Sequence, residues 1–235
     1  MRTTGRRGAG RGPGWGTGAA GHVLPRDFYR RDPREVAPEL LNKVLVAGAR
    51  QGRIVETEAY CGAIDPAAHS YRGRTARNST MFGPPGRLYV YFSYGMHWCA
   101  NPVCGEPGEG VAVLVRALSP LAGLEAMAAA RPAARRPRDL CSGPGRLCQA
   151  LGITGAHDGA DLVTGDADLL LVDDGTPPPP DPAATARVGV GRGADRRWRW
   201  YVAGDPNVSR PRPSPAGVSP GAPPPGSAGP CRAGR

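Results

Sequence analysis

Two carboxylates, a histidine and a series of tyrosines stand close together in this chain, with arginines interleaved among them. The stretch Arg53 to Tyr60 holds Glu56, Glu58 and Tyr60; His69 follows, and then Tyr89, Tyr91 and Tyr94. A carboxylate or an imidazole can take a proton from water, aromatic rings can hold another flat ring, and guanidinium groups can hold phosphate oxygens. Those three needs coincide where the reacting group is a nucleobase.

Each of these residues also has a plain structural reading. Side chains alternate across a strand, so Glu56, Glu58 and Tyr60 share one face while Val55, Thr57 and Ala59 share the other. The plain reading of two carboxylates on one face is an edge strand turned to solvent. A lone histidine such as His69 is commonly a hydrogen-bonded structural residue. Tyr89 and Tyr91 could be aromatic pairs within a sheet. Tyr94 differs: it falls beside Gly95 at a hairpin tip, where an aromatic suits stacking or wedging into a base stack. Asn101 precedes Pro102, which holds it extended, and its amide can both donate and accept.

The elements that must position these groups follow from pattern and punctuation. Asp32-Pro33-Arg34-Glu35 resembles a capping box, with Pro38 as a second start; a short helix is expected through 38–42. Strands are expected at 43–47, 52–60, 88–93, 97–103, 111–117, 168–172, 186–190 and 199–203. The third and fourth of these form a protruding β-hairpin around Tyr94, Gly95 and Met96. A helix is expected from Ser119-Pro120 through Ala130, and a second from Gly143-Pro144 to a stop at Gly152. Hairpins outnumber βαβ units, so the fold class is α+β, with a curved, largely antiparallel sheet flanked by helices.

The chain has 235 residues, with 35 glycines, 27 prolines and a formal charge of +10. Residues 1–22 and 211–235 are Gly, Pro, Ser and Arg with almost no large apolar side chain. Segments of that composition cannot offset their ordering entropy and are expected to be disordered, leaving one domain at 23–210. Eight arginines lie at the two ends without an acid, which leaves about +2 for the core, so any basic face there comes from clustering. Clusters stand at Arg26/Arg30/Arg31/Arg34, Arg72/Arg74/Arg77, Arg131/Arg135/Arg136/Arg138 and Arg192/Arg196/Arg197/Arg199. They suit phosphate contact, although Lys43 is the only lysine and a GC-rich gene favours arginine anyway. The six cysteines form no C-x-x-C pairs and the histidines are scattered, so no zinc site is expected and the thiols are read as reduced and buried. No long apolar run or signal-like segment is seen, which predicts a soluble cytoplasmic protein without membrane contact.

Taken in order, the segments 53–60, 67–70, Arg77-Asn78, Met81-Phe82, 88–101, 113–118, 140–151 and 186–190 resemble the 3-methyladenine (alkyladenine) DNA glycosylase family, over roughly residues 23–210. The resemblance implies a compact α+β domain that needs neither metal nor cofactor. It implies a monomer that flips damaged purines out of double-stranded DNA and hydrolyses the glycosidic bond, working at the nucleoid. By the same resemblance Glu58 falls on the general base and Tyr60, His69, Tyr91, Asn101 and Arg116 on the base pocket. Tyr94 falls on the aromatic that enters the duplex, and Asn101 on the amide that disfavours a guanine 2-amino group. Glu56 stands as a rival to Glu58, since the two share a face.

The chemistry is coherent by itself. A purine methylated at N3 or N7 is cationic, hence a good leaving group, and binds a tyrosine face more tightly than a neutral base by about 0.5–2 kcal/mol. A neutral lesion such as hypoxanthine would need protonation as it leaves. The single lysine argues against a Schiff-base step and so against backbone cleavage. Two other readings compete: a non-enzymatic basic nucleic-acid-binding protein, and a carbohydrate hydrolase using Glu56 and Glu58, whose positions lie about 7 Å apart on one strand face.

Overall fold

The computed structural model describes residues 21–209; the expected tails fall almost wholly outside the described residues. The chain enters through β1 (His22–Val23), α1 (Arg26–Tyr29) and α2 (Pro33–Glu39). Asp32 caps α2 by accepting from the Arg34 N–H at 2.8 Å, and Pro33 takes the first helical position, where its missing N–H costs nothing. This corrects the expected helix at 38–42. The earlier start prevails, and Pro38 lies inside the helix, one residue before its end at Glu39.

Next come β2 (Val44–Ala47) and the twelve-residue β3 (Arg50–Cys61). After β4 (Leu88–Ser93), β5 (His97–Cys104) and β6 (Val111–Ala122) the chain turns into α3 (Leu124–Ala130) and α4 (Pro144–Leu151). Three short strands finish the described chain: β7 (Leu169–Asp173), β8 (Ala183–Thr185) and β9 (Arg199–Tyr201). The sheet order is β1-β7-β2-β3-β6-β5-β4, with β9 joining β3 and β8 joining β9. Every strand pair among the described residues is antiparallel, and the sheet curls into a half-barrel flanked by helices, a compact α+β domain.

Two further expectations fail for identifiable reasons. The helix expected from Ser119 begins only at Leu124, because β6 continues. Ser119, Pro120 and Ala122 pair with Arg53, Gly52 and Gln51, and the proline sits at a register shift, where a strand tolerates it. Gly123, at φ 73°, then makes the turn into α3. The strand expected at 186–190 is absent. There the Val188 N–H and the Arg187 side chain are spent on carboxylates rather than on a ladder.

The centre of β3 is paired on both edges. Its first residues meet β2, Glu56–Glu58 meet β9, and β6 runs along the other side. The two glutamates therefore lie on a central strand, with no exposed surface, and the edge-strand reading does not apply. Register shifts on either side of Glu56 also break the expected alternation: Val55 packs with Ala117 and Val208, apart from the main core that contains Ile54 and Ala59. That core lies between the sheet and helices α2, α3 and α4, through Leu40, Leu41, Met127, Leu147 and Leu118. None of the five cysteines among the described residues is in a disulfide, and all five are buried.

Candidate active site

A cavity of about 930 Å³ opens at the end of the sheet where β3, β4, β5 and β6 meet the start of α4 and the loops at 66–69 and 188–192. Six of the seven expected site residues line it: Tyr60, His69, Tyr91, Tyr94, Asn101 and Arg116. The seventh, Glu58, has no exposed surface; three of the cavity's lining residues bond directly to its carboxylate. Tyr60 donates its hydroxyl to Glu58 Oε2 at 2.9 Å, Arg116 Nη1 donates to the same oxygen at 3.2 Å, and the Val188 N–H donates to Oε1 at 2.7 Å. Glu58 thus lies directly behind the part of the wall formed by Tyr60, Arg116 and Val188.

The rival carboxylate is in a different state. Glu56 Oε1 accepts from Arg116 Nε at 3.0 Å, from Arg199 Nε at 2.6 Å and from the Ser209 hydroxyl at 2.8 Å, while Oε2 accepts the Ser209 N–H at 2.6 Å. Burial would raise its pKa, but Arg116, Arg199 and the Ser209 N–H overcome that and hold it below the usual carboxylate range. For Glu58 the balance falls the other way. Burial pushes its pKa up, and Arg116, the Val188 N–H and Tyr60 only partly pull it back, with Glu56 adding to the rise. Glu56 is held ionised and Glu58 is shifted toward the protonated form, so their environments separate the two pKa values. With Glu56 so engaged, a two-carboxylate carbohydrate hydrolase loses its second carboxylate.

The aromatic side of the cavity is built on β4. Tyr89 and Tyr91, two apart on one face of the strand, stack with centroids 5.4 Å apart and planes 25° apart. The His69 ring stands 4.1 Å from that of Tyr91, and its Nδ1 lies 3.1 Å from the Tyr89 hydroxyl. Partial burial and the nearby Arg77 lower the His69 pKa, which favours the neutral ring. Burial pushes the Tyr89 hydroxyl up to about 12 and the Tyr91 hydroxyl further, so both stay protonated. Asn101, on β5, spends both amide hydrogens on backbone carbonyls of Tyr89 and Cys99, at 3.0 and 3.3 Å. Only its oxygen remains for a ligand.

Tyr94 sits between β4 and β5 in the left-handed region, φ 49°, and is 83% exposed. Phe92 and Met96 beside it are exposed too. Such an apolar tip beside a cavity is unlike the ordinary fate of aromatics on a turn.

The arginine clusters divide. In the first, Arg26 pairs with Asp161, Arg31 with Glu39 and Arg34 with Asp32, and Arg30 lies near Asp27 and Glu106, so local acids offset its charge. Arg199 is buried against Glu56. Arg72, Arg74, Arg77, Arg135, Arg192 and Arg197 are exposed, and Arg77, Arg131, Arg146 and Arg192 line the cavity. Sequence reasoning missed Arg146, although the Gly143-Pro144 helix start two residues earlier was the available signal. It also missed Asp65, Arg187 and Ser209, whose partners lie more than a hundred residues away. Among the described residues no three His, Cys, Asp or Glu side chains are grouped to hold a metal, and no helix is long and apolar enough to cross a membrane.

Comparison with known proteins agrees with this geometry. Residues 27–206 match the family model described as methylpurine-DNA glycosylase (MPG). A candidate 3-methyladenine DNA glycosylase of Burkholderia lata is 59% identical over 192 residues, covering 81% of this chain and 93% of the relative. Relatives of the same description from Koribacter versatilis and Methanocella arvoryzae are 50% and 48% identical, covering 79% and 80% of this chain and 92% and 96% of their own. A family model spanning most of the chain, over a fold that brings the motif residues to one cavity, places the protein by descent: it belongs to the methylpurine-DNA glycosylase family.

Proposed function

We propose that residues 23–210 form a monofunctional glycosylase domain that releases alkylated or deaminated purines from double-stranded DNA and leaves an abasic site, acting as a monomer at the nucleoid. The observation that carries this reading is Glu58: a buried carboxylate of raised pKa bonded to three residues that line an aromatic cavity, in a chain of this family.

In this reading the damaged nucleotide swings out of the duplex, at a cost of about a few kcal/mol that is smallest for a poorly paired base. Tyr94 fills the gap left in the stack. The purine enters the cavity and lies against Tyr91, with Tyr60 and His69 beside it; a cationic methylpurine gains from the tyrosine face and meets no charge on a neutral His69. Glu58 takes a proton from a water as the water oxygen bonds to C1′, and the C1′–N electron pair departs with the purine. Its negative charge also stabilises the oxocarbenium-like sugar. Arg116 keeps the carboxylate oriented. Because both Asn101 N–H groups are committed, its discrimination against a 2-amino group rests on the space the amide occupies rather than on its donors.

Absence of lyase chemistry is supported by the place of the only lysine. Lys43 Nζ is bound to Asp173 at 2.7 Å and is not among the residues lining the cavity, so no lysine amine is available to attack C1′. The test is to incubate methylated duplex DNA with the protein and separate the freed bases by chromatography. Release of 3-methyladenine or 7-methylguanine, with strand breaks only after alkali, is the expected result. Breaks without alkali would remove the monofunctional assignment, and no freed base from methylated, hypoxanthine or ethenoadenine DNA would remove the enzymatic one.

A further inference from the structure

Asp65 and Arg187 form an ion pair with no exposed surface on either side chain, and neither belongs to the cavity wall. The pairing is bidentate: Arg187 Nη1 meets Asp65 Oδ2 at 2.5 Å and Nη2 meets Oδ1 at 2.8 Å. A buried pair carries a desolvation penalty that hydrophobic residues would avoid, so its place in the fold calls for a reason beyond stability. What it joins supplies one.

Asp65 accepts from the Cys61 and Ala67 N–H groups, which ties it to the end of β3 and to the loop that leads to His69. Arg187 donates to the Ala59 carbonyl and to the Gly193 carbonyl, which spans the loop from 187 to 193. Its guanidinium lies 4.7 Å from the centre of the Tyr60 ring. Because the charge is cancelled by Asp65, the guanidinium can pack there without placing a net positive charge beside a cavity meant for a cationic base. The residue after Arg187 is Val188, whose N–H donates to Glu58 Oε1.

We propose that the Asp65–Arg187 pair is a positioning device for the reaction, holding the loop so that the Val188 N–H stays on Glu58 and fixes the carboxylate for attack. The inference rests on Glu58 being the base. The groups that face Glu58 are Glu56 and Tyr60 on β3, Arg116 on β6, Arg199 on β9, Cys99 on β5 and Arg187 on the loop. Of its three hydrogen bonds, those from Arg116 and Tyr60 come from strand residues, and the one from Val188 alone depends on an irregular segment. Loosening the pair therefore removes a donor that favours the ionised carboxylate and leaves the strand contacts in place.

Arg187→Lys keeps the charge but loses the two-pronged fork, and Asp65→Asn keeps the shape but loses the charge. Single-turnover excision by each is expected to fall about 10- to 100-fold at neutral pH, the scale of a small misplacement of a reacting group. The acid limb of the rate profile should move to higher pH, with part of the rate recovered as pH rises. A purely structural role would lower the melting temperature and the amplitude while leaving the position of the acid limb unchanged, and that result would overturn the proposal. Amide hydrogen exchange on the wild-type protein tests it independently of any variant: the Val188 N–H should be strongly protected, and rapid exchange there would overturn it. Glu58→Gln is run alongside. If that variant excises normally, the base assignment itself falls; if it is inactive while the acid limbs of Arg187→Lys and Asp65→Asn stay where the wild type's is, only the positioning role falls.

Discussion

At the residue scale, Glu56 and Glu58 illustrate how one strand face can carry two carboxylates in opposite electrostatic states. Glu56 is held by four donors, two of them guanidinium groups, and Glu58 by three, of which one is a guanidinium. Replacing Glu56 by alanine leaves Arg199 buried against a void and is expected to cost about 3–5 kcal/mol of folding stability, read by denaturant unfolding. The same pair sets the pH behaviour. Glu56 has a depressed pKa in the fold, so the stability it contributes is present above its unfolded pKa and lost as pH falls through the folded one. Glu58 has a raised pKa, so its contribution is full below the unfolded pKa and lost as pH rises through the folded one. In the proposed mechanism, the ionised form that would take the proton is thus the form that costs the fold. Excision rate should accordingly rise with pH through a limb above the ordinary glutamate range; a rate already flat down to pH 4 would contradict the assignment. That the two carboxylates share a face was legible from strand alternation, while the choice of Glu58 over Glu56 rested on the family resemblance. Their separate states were not legible, because they depend on Arg199 and Ser209, which approach Glu56 from β9 and from the stretch beyond it.

At the element scale, the strand at 88–93, its antiparallel partner and the turn between them could be read from hydrophobic alternation and a glycine, and Tyr94 was placed at the tip on that basis. Tyr94→Ala should change folding stability by no more than about 0.5 kcal/mol, since the side chain is 83% exposed and packs on little. It should nevertheless lower single-turnover excision, and unchanged excision would take away its role in the duplex. The helix start at 119 and the strand at 186–190 were misread for related reasons. Ser-Pro is a helix signal only if the preceding strand has ended, and here β3 continues to offer partners as far as Gln51. At 186–190 the apolar alternation is real, but the backbone faces Glu58 and no strand lies alongside to complete a ladder. Local pattern cannot report what a distant carboxylate does to a backbone amide.

For the whole molecule, the formal charge of +10 does not say which face a polyanion would meet. The cluster around Arg26–Arg34 is paired with local acids, while Arg77, Arg131, Arg146 and Arg192 line the cavity and Arg72, Arg74, Arg135 and Arg197 are exposed. Binding of duplex DNA should therefore weaken steeply with salt, with a slope set by those groups, and Arg30→Ala should leave the slope unchanged. Composition gave the sign of the charge but not its distribution, because ion pairing such as Arg26 with Asp161 joins segments far apart in sequence. The class of fold and the region of the site were accessible because the chemistry-bearing residues lie on three strands that are consecutive in the sheet, β3, β6 and β5, with β4 next. The clamp from Asp65 to Arg187 was not, since nothing near either residue in sequence announces the other.

The most direct test of the account is single-turnover excision of 3-methyladenine or 7-methylguanine from a defined duplex by Glu58→Gln beside Glu56→Gln, with duplex binding measured for both. Glu58→Gln should bind the duplex as the wild type does and release base at least about 100-fold more slowly, and folded Glu56→Gln should retain most of its rate. Normal base release by Glu58→Gln, or loss of chemistry confined to a stably folded Glu56→Gln, would contradict it.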